Sequence, residues 1–214
     1  VDEKRVEKPS EMFDQNAVIR IKGVSDESKY VSRGGLKLEA ALRAFSIDPS
    51  GTNCIDIGSS TGGFTDCLLK HGAARVTAID SGTNQIVWSL RTDPRVDVRE
   101  NTNARYLKHG DFDREYDIAV MDVSFISVTK VIPAIIGLLK PTGLMIVLIK
   151  PQFEVGKGEV GKGGIVRDSD KHNAVLETIE AFAITAGLQP SGIIESPIRG
   201  AEGNKEFLAL FSRG

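Results

Sequence analysis

The run Leu144-Met-Ile-Val-Leu-Ile149 constrains the fold of this chain more than any other feature. Uninterrupted apolar residues without polar alternation suit a strand covered on both faces, the situation of a parallel sheet flanked by helices. The run is far short of the roughly 20 residues that cross a bilayer. With its flanks it predicts a strand over 143–150. Further strands are predicted over 54–58, 75–80, 96–100 and 116–123, with two more over 188–196 and 206–212. Helical patterns lie between them. Ser32 can cap a helix over 34–45, in which Leu38, Leu42 and Phe45 fall at i, i+4 and i+7. Other helices are predicted after residue 63 up to Gly72, over roughly 128–139, and over 171–186. Strands alternating with helices predict an α/β fold of Rossmann-like type: a mostly parallel, seven-stranded sheet with helices on both faces. Ligands of such sheets bind at the carboxyl ends of the strands, where the strand order reverses.

The first of those ends reads DIGSSTGGFTD, residues 56–66. Gly58, Gly62 and Gly63 permit a tight turn and the close approach of a ligand. The helix that follows presents unpaired N–H groups to whatever sits there. Asp80 closes the second strand 22 residues beyond Gly58, a position suited to ribose hydroxyls. The combination predicts an adenosine-containing cofactor. A dinucleotide turn reads G-x-G-x-x-G, and its second glycine is missing here. Asp56 is expected to aim a carboxylate at the region where a dinucleotide carries its pyrophosphate. Such a carboxylate suits an ammonium and a sulfonium, so the turn favours S-adenosylmethionine over a nicotinamide dinucleotide.

Charge narrows the partners. The 27 Lys and Arg residues stand against 29 Asp and Glu, a net charge of −2. That excludes holding nucleic acid by bulk positive charge and leaves room for a local basic patch. Cys54 and Cys67 lack metal-ligand spacing and are expected to be buried free thiols. His71, His109 and His172 are scattered and expected in solvent, and no metal is expected. The N-terminus, VDEKRVEKPS, has neither a methionine nor the apolar core of a signal peptide. It reads as a cut inside a longer chain, and a cytoplasmic location without membrane contact is expected. One short alternating stretch, residues 17–22, could form a strand.

RGGLKLEAAL, DIGSSTGGFTD, MDVSFIS, LIKPQFE followed by GGIVRD, and GNKEFL resemble, in this order, the TlyA (hemolysin A-like) family of ribosomal-RNA 2′-O-methyltransferases. More distantly they resemble the FtsJ-type RNA ribose methyltransferases. The resemblance runs from about residue 31 to the C-terminus. It implies an S-adenosylmethionine-dependent methyltransferase domain over 32–214, with residues 1–31 the tail of an N-terminal RNA-binding domain plus linker. Most of that RNA-binding domain is missing here, so weak unaided RNA affinity is expected. The implied substrate is ribosomal RNA or a ribosomal subunit, with cytidine as the nucleoside. The implied catalytic set is Lys37, Asp122, Lys150 and Glu206. The cofactor turn falls on Asp56, Gly58, Ser59, Gly62, Gly63 and Phe64, the ribose acid on Asp80, and adenine contacts on residues 100–103, with Asn103 foremost.

The residues themselves speak to part of that set. Lys150 closes an apolar strand, an expensive place for a charge without a partner or a task. Asp122 ends the fourth strand on the edge that faces the cofactor in this fold. Lys37 would otherwise read as a solvated lysine and Glu206 as an edge charge. A ribose hydroxyl attacks a methyl carbon only as its proton leaves. Lysine takes that proton only when neutral, against an ordinary pKa of roughly 10.4, and as a cation it can instead stabilise the alkoxide. The glycine-rich segment 151–168 carries Phe153, Lys157, Lys162 and Arg167 and is expected to be a flexible RNA-contacting loop, with Phe153 stacking on a base. Two other readings are an NAD-type oxidoreductase and a membrane-active hemolysin. The second lacks a membrane span or a strongly cationic amphipathic helix.

Overall fold

The computed structural model describes residues 29–156, 158–200 and 203–214. The expected strand at 17–22, the tail of the preceding domain and Lys157 lie outside the described residues. From the N-terminal side the elements are α1 (Gly34–Ala44), β1 (Asn53–Ile57), α2 (Gly63–Lys70), β2 (Arg75–Ile79), α3 (Trp88–Arg91), β3 (Val96–Arg99) and β4 (Tyr116–Met121). Then come α4 (Ile132–Ile136), β5 (Leu139–Ile149), α5 (Pro151–Glu154), α6 (Ser169–Thr185), β6 (Leu188–Glu195) and β7 (Phe207–Arg213). The seven strands form one sheet in the order β3-β2-β1-β4-β5-β7-β6. Pairings among β1 to β5 are parallel, and β7 runs antiparallel between β5 and β6. The α/β, Rossmann-like expectation is met.

Strand alternation divides the core into two layers. Cys54, Val76, Ala78, Ile118, Val120, Ile146 and Leu148 pack with α1 and α2 through Leu38, Ala41, Phe64 and Leu68. Their alternates Ile55, Ile57, Ala119, Met121, Val147 and Ile149 pack with α4 and α6 through Ile132, Ile135, Val175 and Ile179. Residues 145–149 are all fully buried, as an apolar run with no polar face requires. Both cysteines are free and buried, and burial pushes each thiol up to about 12.

Three local expectations change. The helix placed at 128–139 is a 3-10 turn, Val128–Lys130, followed by the short α4. Pro133 cannot donate within a helix interior and is tolerated only near the start. The fifth strand begins earlier, at Leu139, and its register with β4 jumps between Tyr116 and Ile118, so that residues 140–143 bulge out. The segment after Lys150 opens with α5 rather than a loop.

The α4–α6 layer holds a polar pair that isolates one interaction. Tyr116 is 1% exposed, its ring stands edge-on to Phe112 at 5.6 Å, and its hydroxyl donates to Thr77 Oγ1 at 2.9 Å. Tyr116→Phe removes the donor alone and should cost about 1 kcal/mol. Tyr116→Ala empties the site and should cost about 3–5 kcal/mol. Urea unfolding checks both, and equal losses would refute the division between ring and hydroxyl.

Candidate active site

The strand order turns around between β1 and β4, the place where an open α/β sheet forms a ligand crevice. Asp122 N–H donates to Ile57 O at 2.8 Å, tying the two strand ends together. Gly58 follows at φ +82°, and a Cβ on it would lie 2.4 Å from Asp122 O. Only glycine allows β1 to leave the sheet this close to its neighbour.

Parity explains why the charged residues meet. Val120 on β4, Leu148 on β5 and Leu208 on β7 all face the α1–α2 layer. One further step of two residues along each alternation gives Asp122, Lys150 and Glu206, on that same side. Lys37 stands on the buried face of α1. Lys37 Nζ lies 2.5 Å from Glu206 Oε2. Lys150 Nζ lies 2.5 Å from Asp122 Oδ1 and donates to Ser124 Oγ at 2.8 Å. Exposure of these side chains runs from 2% for Glu206 to 22% for Asp122. All four residues of the expected set are therefore together as two ion pairs, Lys37–Glu206 hydrogen-bonded and Lys150–Asp122 within ion-pair distance but outside hydrogen-bond geometry, and Glu206 is buried rather than an edge charge.

Two cavities open at this edge. The larger, about 810 Å³, lies over the ends of β1, β2 and β4 and is lined by Gly58, Asp80, Asn103, Asp122 and the apolar Ile57, Ile79 and Val131. The smaller, about 250 Å³, is lined by Arg33, Lys37, Ser59, Gly63, Phe64 and Arg199. Gly58, Ser60 and Asp122 line both. Asp80 accepts from the N–H groups of Ser60 at 2.8 Å and Gly82 at 2.7 Å. The first of these bonds holds Ser60 at φ +47°, a region uncommon for a residue with a side chain. Each Asp80 oxygen keeps a lone pair for a ligand hydroxyl.

Several expected residues lie elsewhere. Asp56 lines neither cavity. It shares the parity of Cys54, so it points under α2, fully buried, with Oδ2 accepting from Thr65 Oγ1 at 2.6 Å and Oδ1 without a hydrogen-bond partner. Gly62 also lines neither, being turned toward Leu90 and Ile86. Glu100 braces the loop before α3: it accepts from Asn84 and Gln85 N–H at 2.8 Å and pairs with Arg91 at 2.7 Å. The Arg91 guanidinium and those N–H groups hold its carboxyl down to about 2. His172 is buried rather than solvated, its Nε2–H donating to Val166 O at 2.9 Å and its ring against Phe207. Val166 is further held by Asn204, whose side chain accepts from Val166 N–H at 3.0 Å and donates to Gly164 O at 2.9 Å. The second half of the glycine-rich segment is thus tied to the sheet, while Lys162 and Arg167 stay exposed. The Phe153 ring lies tilted by 51° against Phe125 with ring centroids 5.0 Å apart, and Phe125 itself is 90% exposed at φ +63°. Arg33 lies in RGGLKLEAAL and Ser124 and Phe125 in MDVSFIS, but none stands out there, and Arg199 lies in no motif; the fold brings all four to the edge. Among the described residues no cluster of His, Cys, Asp or Glu could hold a metal ion.

The FtsJ-like methyltransferase family matches residues 30–213. The "16S/23S rRNA (cytidine-2'-O)-methyltransferase TlyA" of Mycobacterium tuberculosis is 46% identical over 181 residues, which are 85% of this chain and 68% of that protein. A solved structure, "Putative hemolysin from Streptococcus thermophilus", superposes with a TM-score of 0.85 at 49% identity, covering 86% of this chain and 67% of that one. An S-adenosylmethionine-dependent methyltransferase from Mesorhizobium loti shares the fold at 16% identity, with a TM-score of 0.58 over 82% of this chain and 96% of that one.

The buried Asp56 gives this edge a pH signature. Burial raises its carboxyl from the usual 3.8 to about 7, partly opposed by the Thr65 hydroxyl bond. Between those values the folded protein holds a proton that the unfolded chain has released. Stability should therefore fall as pH rises from about 4 to about 7, by about 1.4 kcal/mol per pH unit for one proton, and then level off. Asp56→Asn should abolish that component. Unfolding free energies of both proteins across this range check it, and identical pH profiles would refute it.

Proposed function

The chain belongs to the FtsJ-like methyltransferase family, and on that premise we propose that it methylates a ribose 2′-hydroxyl of ribosomal RNA, cytidine being the nucleoside. S-adenosylmethionine supplies a methyl group on a sulfonium, an electrophile that an oxygen nucleophile attacks directly. The observation that carries the reading is the junction of a cofactor-sized cleft and a basic pocket at Asp122, which lines both and is paired with Lys150; Lys150 itself lines neither. The cleft has the volume of a typical ligand site. Asp80 suits the ribose hydroxyls there, Asn103 and the apolar wall suit an adenine, and Gly58 lets the backbone come close. Ser59, Gly62, Gly63 and Phe64 shape the turn, and Asp56 supports it from beneath. The catalytic domain is taken to span 32–214.

Lys150 Nζ lies against a carboxylate oxygen of Asp122 and the Ser124 hydroxyl, an arrangement that suits electrostatic help. Lys150, held by Asp122 and Ser124, presents positive charge where the 2′-oxygen becomes an alkoxide. Lys37 lines the basic pocket, held in place by the buried Glu206, and helps fix where the ribose can rest. An NAD-type oxidoreductase is disfavoured by the family match and by Ser60 at the second glycine position of a dinucleotide turn. As for a hemolysin, among the described residues no helix is long and apolar enough to cross a membrane.

Incubating ribosomal subunits with the chain and methyl-labelled S-adenosylmethionine, then mapping the modified ribose, tests the reading. Label on a base, or no label in RNA, would overturn it. Lys150→Ala should slow single-turnover methylation roughly 10²–10⁴-fold with cofactor affinity unchanged. Lys150→Arg keeps the charge but cannot release a proton, so residual activity well above the Ala variant is expected. An Arg variant as slow as Ala would assign proton abstraction instead. Asp80→Ala should weaken cofactor binding by about 1–3 kcal/mol in titration calorimetry, and unchanged affinity would remove it from the cofactor site.

A further inference from the structure

We infer that Arg33 and Arg199 form a two-pronged phosphate clamp at the mouth of the smaller cavity, gripping a phosphodiester of the RNA beside the target ribose. The inference rests on the methyltransferase reading above and adds to it the residues that seat the substrate. Both guanidiniums line that cavity and both residues are exposed. Among the described residues neither makes an ion pair or a side-chain hydrogen bond. The other charges on the cavity wall are already matched, Lys37 by Glu206 and Asp122 by Lys150. Among the described residues the pocket therefore carries two positive charges without a partner, on a chain whose net charge is −2.

The backbone beneath each arginine is fixed. Arg33 opens α1, and its neighbour Ser32 is pressed onto the cofactor turn so tightly that a Cβ on Gly63 would lie 2.2 Å from Ser32 Oγ. Arg199 sits in the β6–β7 connection, held by Ser196 N–H donating to Glu206 O at 2.9 Å and by Gly200 N–H donating to Asn204 O at 2.9 Å. A planar guanidinium with five donors on such an anchor matches a tetrahedral oxyanion in forked fashion. The cavity meets the cofactor cleft at Asp122, so its occupant adjoins the reacting oxygen. An oxyanion here could come from the RNA backbone or from the carboxylate of the cofactor. The arginines stand at the solvent mouth and belong to α1 and the β6–β7 connection rather than to the cofactor turn. That placement suits an anion on a chain that continues outward.

The experiment compares the chain with Arg33→Ala, Arg199→Ala and the double variant. RNA affinity is measured by anisotropy on a labelled ribosomal-RNA fragment across 50–200 mM salt, and S-adenosylmethionine affinity by calorimetry. Each single variant should weaken RNA binding several-fold and reduce the magnitude of the salt slope by about one, leaving cofactor affinity unchanged as a control for folding. Arg33→Lys and Arg199→Lys should restore the salt slope but only part of the affinity. RNA binding by the double variant with wild-type affinity and slope would overturn the clamp, as would a loss confined to cofactor affinity. Should the unmutated chain fail to label RNA at all, the methyltransferase reading falls instead, and the two failures are told apart by that control.

Discussion

Everything at the working edge depends on two ion pairs held almost out of water, Lys37–Glu206 and Lys150–Asp122. Desolvating four charges is costly, and apolar residues of similar size would often be as stable or more so. Removing one member leaves a buried charge without a partner, the most damaging change such a site can suffer. A sequence under selection for stability alone would have continued its apolar strands. Instead β4, β5 and β7 each give way to a charge at the position where the next residue would have faced α1. The three charges converge because sheet register and side-chain alternation put them there, without any special loop. Loops come afterwards: Ser60, Asp80 and the 197–200 connection are all fastened by backbone hydrogen bonds to the frame that the pairs occupy.

The local charge pattern follows a division of labour that net charge conceals. The larger cleft holds Asp80 and Asp122 against Arg105 and Lys130, a balanced lining. Beneath the turn Asp56 adds a carboxyl with one oxygen free of hydrogen bonds. Such surroundings do not repel a cationic sulfonium or ammonium. The smaller cavity is more basic, with Arg33 and Arg199 at its rim, neither paired among the described residues. On the proposed reading, a positively charged donor and a negatively charged acceptor would occupy adjoining compartments that touch at Gly58 and Asp122.

The sheet was legible in the sequence because its signal is local. Apolar runs, glycine turns and the caps between them are read within ten residues, and Pro133 shows the limit: a helix was written over it from apolar periodicity alone. Lys150 could be singled out from its own neighbourhood, as a charge closing an apolar run. Lys37 and Glu206 could not, since each looks ordinary until a contact spanning 169 residues pairs them; only family resemblance singled them out. Asp56 was placed on the correct strand end and given the wrong direction, although counting alternation from buried Cys54 sends it toward α2. His172 failed for a related reason. Its burial comes from Val166 and Phe207, neither of which announces itself as a neighbour in the sequence.

The glycine-rich segment shows how such misses bear on function. Its glycines and cations read as a free loop, yet Asn204 and His172 fasten the stretch around Val166 to the start of β7. Asn204 lies two residues before Glu206, so whatever holds the segment also holds the carboxylate that pairs with Lys37. A contact made by the exposed Lys162 or Arg167 would pull on this clasp before it reached the ion pair. Glycine is needed on the outer part, where Gly158 and Gly163 hold positive φ, and a rigid amide is needed on the inner part. The inner part of the segment is therefore fixed to the sheet rather than being a free tether.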